Sequence, residues 1–110
     1  MINNFKQFEN NSDTPYVVID MERGVIESVT VFNDKESAYN WVRNFVYENY
    51  DAHGLLEVLG NETDPYELLL EFNDKWGPEI EMYLEEAELS PPVKLDKSIE
   101  LRMTTNKYNI

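Results

Sequence analysis

Cysteine is absent from the sequence, histidine occurs once and glycine only four times. Without cysteine the chain makes no disulfide, no thiolate nucleophile and no cysteine-ligated zinc or iron–sulfur centre, which agrees with a reducing compartment. The single histidine, His53, stands beside Gly54 in a break between elements. A histidine-based triad or general base would rest on it alone, and an exposed loop position explains it. Four scattered glycines build no phosphate cradle, and no segment has the spaced acids and central glycine of a calcium loop. Long apolar runs are also missing: none approaches a bilayer span. The start, Met1 to Phe8, lacks the apolar core of a secretion signal, so a cytoplasmic chain is expected. Asp20 and Glu22, two apart at a strand end, come nearest to a magnesium pair, and a strand running into a turn accounts for them. The expectation is therefore a chain with no catalytic residue, no metal and no cofactor: not an enzyme.

Basic residues are scarce too. Nine Lys and Arg stand against 22 Asp and Glu, a net charge of −13. The imbalance is concentrated: between Glu57 and Asp96 twelve acids face two bases, a net −10, which leaves −3 for the remainder. Such a field repels nucleic acid and anionic membrane and attracts basic protein surfaces.

What is present reads as one small domain. A chain of 110 residues buries enough surface to fold without staples. Residues 1–15, rich in Asn and ending in Ser12-Asp-Thr-Pro15, read as a flexible arm before a single α+β domain over 16–110. Tyr16 to Met21 and Val25 to Phe32 are β-branched and aromatic runs separated by Glu22-Arg23-Gly24, the composition of a β-hairpin with a three-residue turn and bulge. Pairing Met21 with Val25 places Val17, Ile19, Met21, Val25, Val29 and Val31 on one face, taken as the core face, with Glu27 the misfit. The reverse face carries Tyr16, Val18, Ile26 and Phe32 and is too apolar to be plainly a solvent face.

Asn33 or Asp34 caps a first helix whose Ala38, Trp41, Val42, Phe45 and Val46 recur at helical spacing and dock on the hairpin. Leu55 to Gly60 fits either a strand or a helical turn. Thr63-Asp64-Pro65 starts a second helix that ends near Gly77. A short third helix over 79–89 is predicted from the stripe Ile80, Tyr83, Leu84 and Ala87, with strand alternation of Ile80, Met82 and Leu84 as the competing pattern. Pro91-Pro92 stops it. Ser98 to Thr105 then alternates apolar and polar, which predicts a C-terminal strand. The fold expected is thus α+β: a small antiparallel sheet, the N-terminal β-hairpin plus this C-terminal strand, packed by two or three helices.

The remaining constellation is acidic. On a helix, Glu81, Glu85 and Glu88 fall along one side with about 5 to 6 Å between neighbours, a spacing comparable to that of nucleic-acid phosphates. Glu79 and Glu86 flank that row, Glu67, Glu71 and Asp74 extend it, and Tyr83 or Tyr47 would anchor its centre. The expectation is a binder that occupies a basic, nucleic-acid-binding surface of another protein and inhibits it, with no direct contact to nucleic acid or membrane. In size and charge the chain resembles small phage proteins that block restriction or CRISPR nucleases, a likeness of composition that rests on no motif. A solvated face that keeps an acidic protein soluble explains the same residues. The alternative function is a homodimer or adaptor subunit that binds through the apolar reverse face of the hairpin, Tyr16, Val18, Ile26 and Phe32.

Overall fold

The computed structural model describes residues 14–108. The expected arm lies outside the described residues except for Thr14 and Pro15. Strand β1 (Tyr16–Glu22) turns directly into β2 (Val25–Phe32) through Arg23 and Gly24, whose φ angles of 51° and 82° are both positive. Two such residues make the tight turn that matches strand twist, which is why glycine is needed there. The turn is one residue shorter than predicted, and the bulge sits inside β2. Asp20 pairs with Ser28 and Met21 with Ile26, leaving Glu27, the misfit of the alternation, as the extra residue.

Helix α1 (Lys35–Ala52) starts where the Asp34 carboxylate accepts a 2.8 Å hydrogen bond from the Ser37 amide. It buries Ala38, Val42, Val46 and Tyr50. Leu56–Leu59 forms a single helical turn, α2. Helix α3 (Pro65–Trp76) opens with Asp64 accepting from the Tyr66 amide and ends with the Gly77 amide bonded to the Asn73 carbonyl, as its sequence signals predict. Its buried side is Leu68, Leu69 and Phe72, while Tyr66 and Leu70 stay exposed.

Two predictions fail beyond this point. Residues 79–89 do not form a helix: Ile80–Glu86 is a strand, β3, antiparallel to β1. The winning pattern is Ile80, Met82 and Leu84, because β1 offers a ladder for the backbone and like charges at Glu81, Glu85 and Glu88 oppose a helix. Nor is 98–105 a strand. It lies in helix α4 (Lys97–Tyr108), where the Asp96 carboxylate accepts from the Ser98 amide at 2.8 Å. With no neighbouring strand, that backbone bonds internally instead. Those hydrogen bonds from Ser98 also hold the Asp96 carboxyl below its ordinary pKa.

The result is a three-stranded antiparallel sheet of order β2-β1-β3 with helices α1 and α3 on one face, an α+β fold whose third strand is not the predicted one. Between the layers lie Val18, Met82 and Leu84 from the sheet and Val42, Val46, Tyr50, Leu68 and Phe72 from the helices. The core face of the hairpin is therefore inverted relative to expectation: Val18 is buried, with Tyr16 and Phe32 packed on the core, while Val29 and Val31 face out. The hairpin alone is apolar on both sides. β3 decides between them, because it sets Met82 and Leu84 opposite Asp20 and Val18, and the acids Glu81 and Glu85 opposite Met21 and Val17.

Tyr50 is fully buried against Trp76, yet its hydroxyl has no hydrogen-bond partner among the described residues. Burial, then Glu71 and Asp74, push its pKa up, so it stays a neutral phenol. An unpaired buried hydroxyl costs free energy. Tyr50→Phe is expected to leave stability unchanged or raise it by up to about 1 kcal/mol in denaturant titration.

Beyond β3 the chain leaves the body. Every residue from Glu88 to Lys107 is exposed, including Leu89, Val93, Leu95, Ile99, Leu101 and Met103. No helix among the described residues is long and apolar enough to cross a membrane.

Candidate functional site

The pairing register lays out the sheet face turned away from α1 and α3 as three cross-strand rows. Val31, Val17 and Glu85 form one, Val29, Ile19 and Tyr83 the next, and Ile26, Met21 and Glu81 the third. Rows along a strand are about 7 Å apart and strands about 4.8 Å apart, so this grid is one continuous surface. No described element covers it: Val31 is 62 % exposed, Ile26 58 %, Val29 53 % and Tyr83 38 %. Antiparallel sheets commonly turn a polar face to water. Here seven of the nine positions are apolar or aromatic, and the two acids stand at the corners of the β3 edge.

Tyr83 sits between those corners. Partial desolvation raises its phenol pKa, with the Glu81 carboxylate beside it a second cause, so Tyr83 remains an O–H donor across the physiological range. On the opposite face Asp20 has its carboxyl pKa raised, first by desolvation and then by Glu22. These two acids share a face with the core, and among the described residues no group of three or more metal-ligating side chains gathers there or elsewhere. His53 is exposed at the end of α1, its ring 5.6 Å from that of Trp76.

A second concavity runs between α3 and the outer edge of β3, a groove of about 250 Å³ lined by Tyr66, Leu69, Leu70, Asn73, Met82 and Leu84 among others. Asn73 closes it at one point in the manner of a neighbouring strand. Its side-chain nitrogen donates to the Met82 carbonyl and its oxygen accepts from the Met82 amide, both at 2.9 Å. At the rim, the Tyr39 ring meets both Tyr16 and Tyr66 edge-on at 5.9 and 5.8 Å. Burial and the Tyr39 hydroxyl raise the Tyr66 pKa well above the usual phenol range.

Comparison with known proteins finds no matching family model, no similar curated protein and no similar solved structure. The geometry of the site therefore carries the functional reading.

The nine residues predicted to form one acidic surface do not do so. Glu81, Tyr83 and Glu85 share the outer sheet face, with the two acids about 13 Å apart along the strand. Glu79 is paired with Arg23 at 2.9 Å. Glu86 lies opposite Tyr16 at the end of the strand, and Glu88 is beyond it in the extended chain. Glu67, Glu71 and Asp74 are exposed on α3, behind the sheet. Tyr47 lies on α1, where its hydroxyl donates to the Glu62 carbonyl at 2.7 Å. The helical row of carboxylates, and with it the phosphate-like spacing, does not exist. Of the alternative apolar surface only Ile26 is exposed; Tyr16, Val18 and Phe32 belong to the core side. Val17, Ile19, Met21, Val29 and Val31 are the outer face instead, and past the bulge two assignments exchange: Met21 pairs with Ile26, which joins this face, while Val25, expected on it, pairs with Glu22 on the other side.

Proposed function

We propose that the chain is a non-enzymatic, acidic protein-binding module whose working surface is the outer face of its sheet. The observation that supports this most directly is the uncovered row of Val29, Ile19 and Tyr83, flanked by Val31, Val17, Ile26 and Met21. Exposed apolar patches of this kind on small proteins are characteristic of interaction sites. Charge specifies the complement: an apolar protein surface bordered by lysine or arginine, placed to meet Glu81 and Glu85. The net charge of −13 steers such a partner in, so salt slows association more than it weakens the apolar contact. Blocking a nucleic-acid-binding protein is the narrower form of this reading, and it rests on net charge alone.

The test replaces Val29 and Val31 together by lysine. Both side chains are exposed, so the circular dichroism spectrum and unfolding midpoint should change little. Proteins from the native host that the wild-type chain retains should be lost by this variant and kept by Glu67→Lys/Glu71→Lys on α3. Self-association is read on the same variants by sedimentation. A face variant that keeps its partners while the α3 variant loses them overturns the reading.

A further inference from the structure

One segment of this same sequence has the chemistry that the outer face asks for. Residues 89–110 carry Lys94, Lys97, Arg102 and Lys107 against Asp96 and Glu100, a net +2, whereas the rest of the chain carries −15. The segment is thus cationic in an otherwise acidic molecule. It is also rich in apolar side chains that nothing in the described structure buries: Leu89, Val93, Leu95, Ile99, Leu101 and Met103 are all exposed. From these two complementary surfaces we infer that the C-terminal arm of one chain docks on the outer sheet face of a second copy, giving an arm-exchanged homodimer. This rests on the preceding reading of the outer face as the binding surface, and it names the partner.

Dimensions agree. Helix α4, with 12 residues, is about 18 Å long and about 10 Å across, and a three-stranded face seven residues long measures about 23 Å by 10 Å between outer strand axes. Ile99 and Met103 are one turn apart and share a side of α4 with Arg102 next to them, whereas Leu101 lies on the opposite side; it is this pair that meets Val29 and Val31 while the guanidinium reaches toward Glu81 or Glu85. An isolated helix of this length is marginal in water and needs a surface to pack on.

The arm is built to reach outward. Its root is fixed where the Ala87 amide donates to the Pro15 carbonyl at 2.9 Å, at the end of the sheet. Pro91 and Pro92 then hold the connection extended, which at about 3 Å per residue carries α4 roughly 30 Å beyond β3. The Pro91-Pro92 step resists folding the arm back on its own sheet, which favours a neighbour's face. Reciprocal exchange makes the contact isologous and closed, so it stops at two copies.

Sedimentation of the full-length chain over a concentration series tests this. The expected result is a monomer–dimer equilibrium that weakens with salt. Ile99→Lys/Met103→Lys should raise the dissociation constant by on the order of a hundredfold, as should Val29→Lys/Val31→Lys. Combining Glu81→Lys/Glu85→Lys with Lys94→Glu/Arg102→Glu should recover much of the affinity that either pair loses. Because the chain has no cysteine, a copy carrying Val29→Cys mixed with a copy carrying Ile99→Cys should form a disulfide-linked heterodimer on oxidation. A dimer insensitive to the arm variants but lost with Val29→Lys/Val31→Lys overturns arm exchange and leaves the outer face as the binding surface. A monomer at every concentration overturns it as well, as does a chain carrying both cysteines that links only within itself; the outer-face reading is then decided by the partner retention described above.

Discussion

Phe72→Ala should lower folding stability by about 3 to 5 kcal/mol, the largest effect expected from a single substitution in this chain. Phe72 is completely buried and joins α3 to α1: its ring lies 5.4 Å from Phe45 on α1 and 4.9 Å from Trp76 on its own helix, within the layer that covers the sheet. The cost combines lost apolar transfer with a cavity that rings held on separate helices close only in part. A domain of this size has about 5 to 15 kcal/mol in total, so the variant should unfold at much lower denaturant concentration. Phe72→Leu, which refills most of the space, should recover over half of the loss. An unfolding midpoint for Phe72→Ala near that of wild type would mean that α3 is not packed on the sheet as described.

Asn73→Leu should cost about 2 to 3 kcal/mol, although leucine is the more apolar residue and matches asparagine closely in size. The side chain of Asn73 satisfies both the amide and the carbonyl of Met82. Removing it leaves two backbone groups facing an apolar groove without partners, each costing about 1 kcal/mol or more. Hydrogen exchange gives the sharper reading: the Met82 amide should lose protection in the variant by more than the global change in stability accounts for. Equal loss at Met82 and at Val18 would assign the effect to general packing.

Local chemistry was legible in the sequence wherever one residue type performs a job that few others can. Asp34 and Asp64 cap, Pro65 takes the first helical position and Gly24 takes a positive φ; each stands where its chemistry puts it. Long-range pairing was not legible. Ile80, Met82 and Leu84 fit a strand and Ile80, Tyr83, Leu84 and Ala87 fit a helix, and only the ladder offered by β1 separates the two. Ile99, Leu101 and Met103 alternate as a strand does, yet without a neighbour the segment coils under its Asp96 cap. The same cause hid the binding face. Alternation groups Val17, Ile19, Met21, Val29 and Val31 but misplaces Val25 and Ile26, which the bulge at Glu27 exchanges, and the side that meets the helices depends on a strand whose position in the sheet no local pattern reveals.

The sheet order has a consequence for how the molecule is made. β1 is the central strand and the first to be synthesised, while the neighbour on its second side, β3, follows only after β2 and three helices. A lone two-stranded ribbon is at best marginally stable in water. A nascent chain that has completed α3 but not yet delivered Glu86 therefore presents an open β1 edge together with the bare apolar stripe of α3. Premature termination between α3 and that residue would release a sticky fragment, and not a smaller working version of the protein.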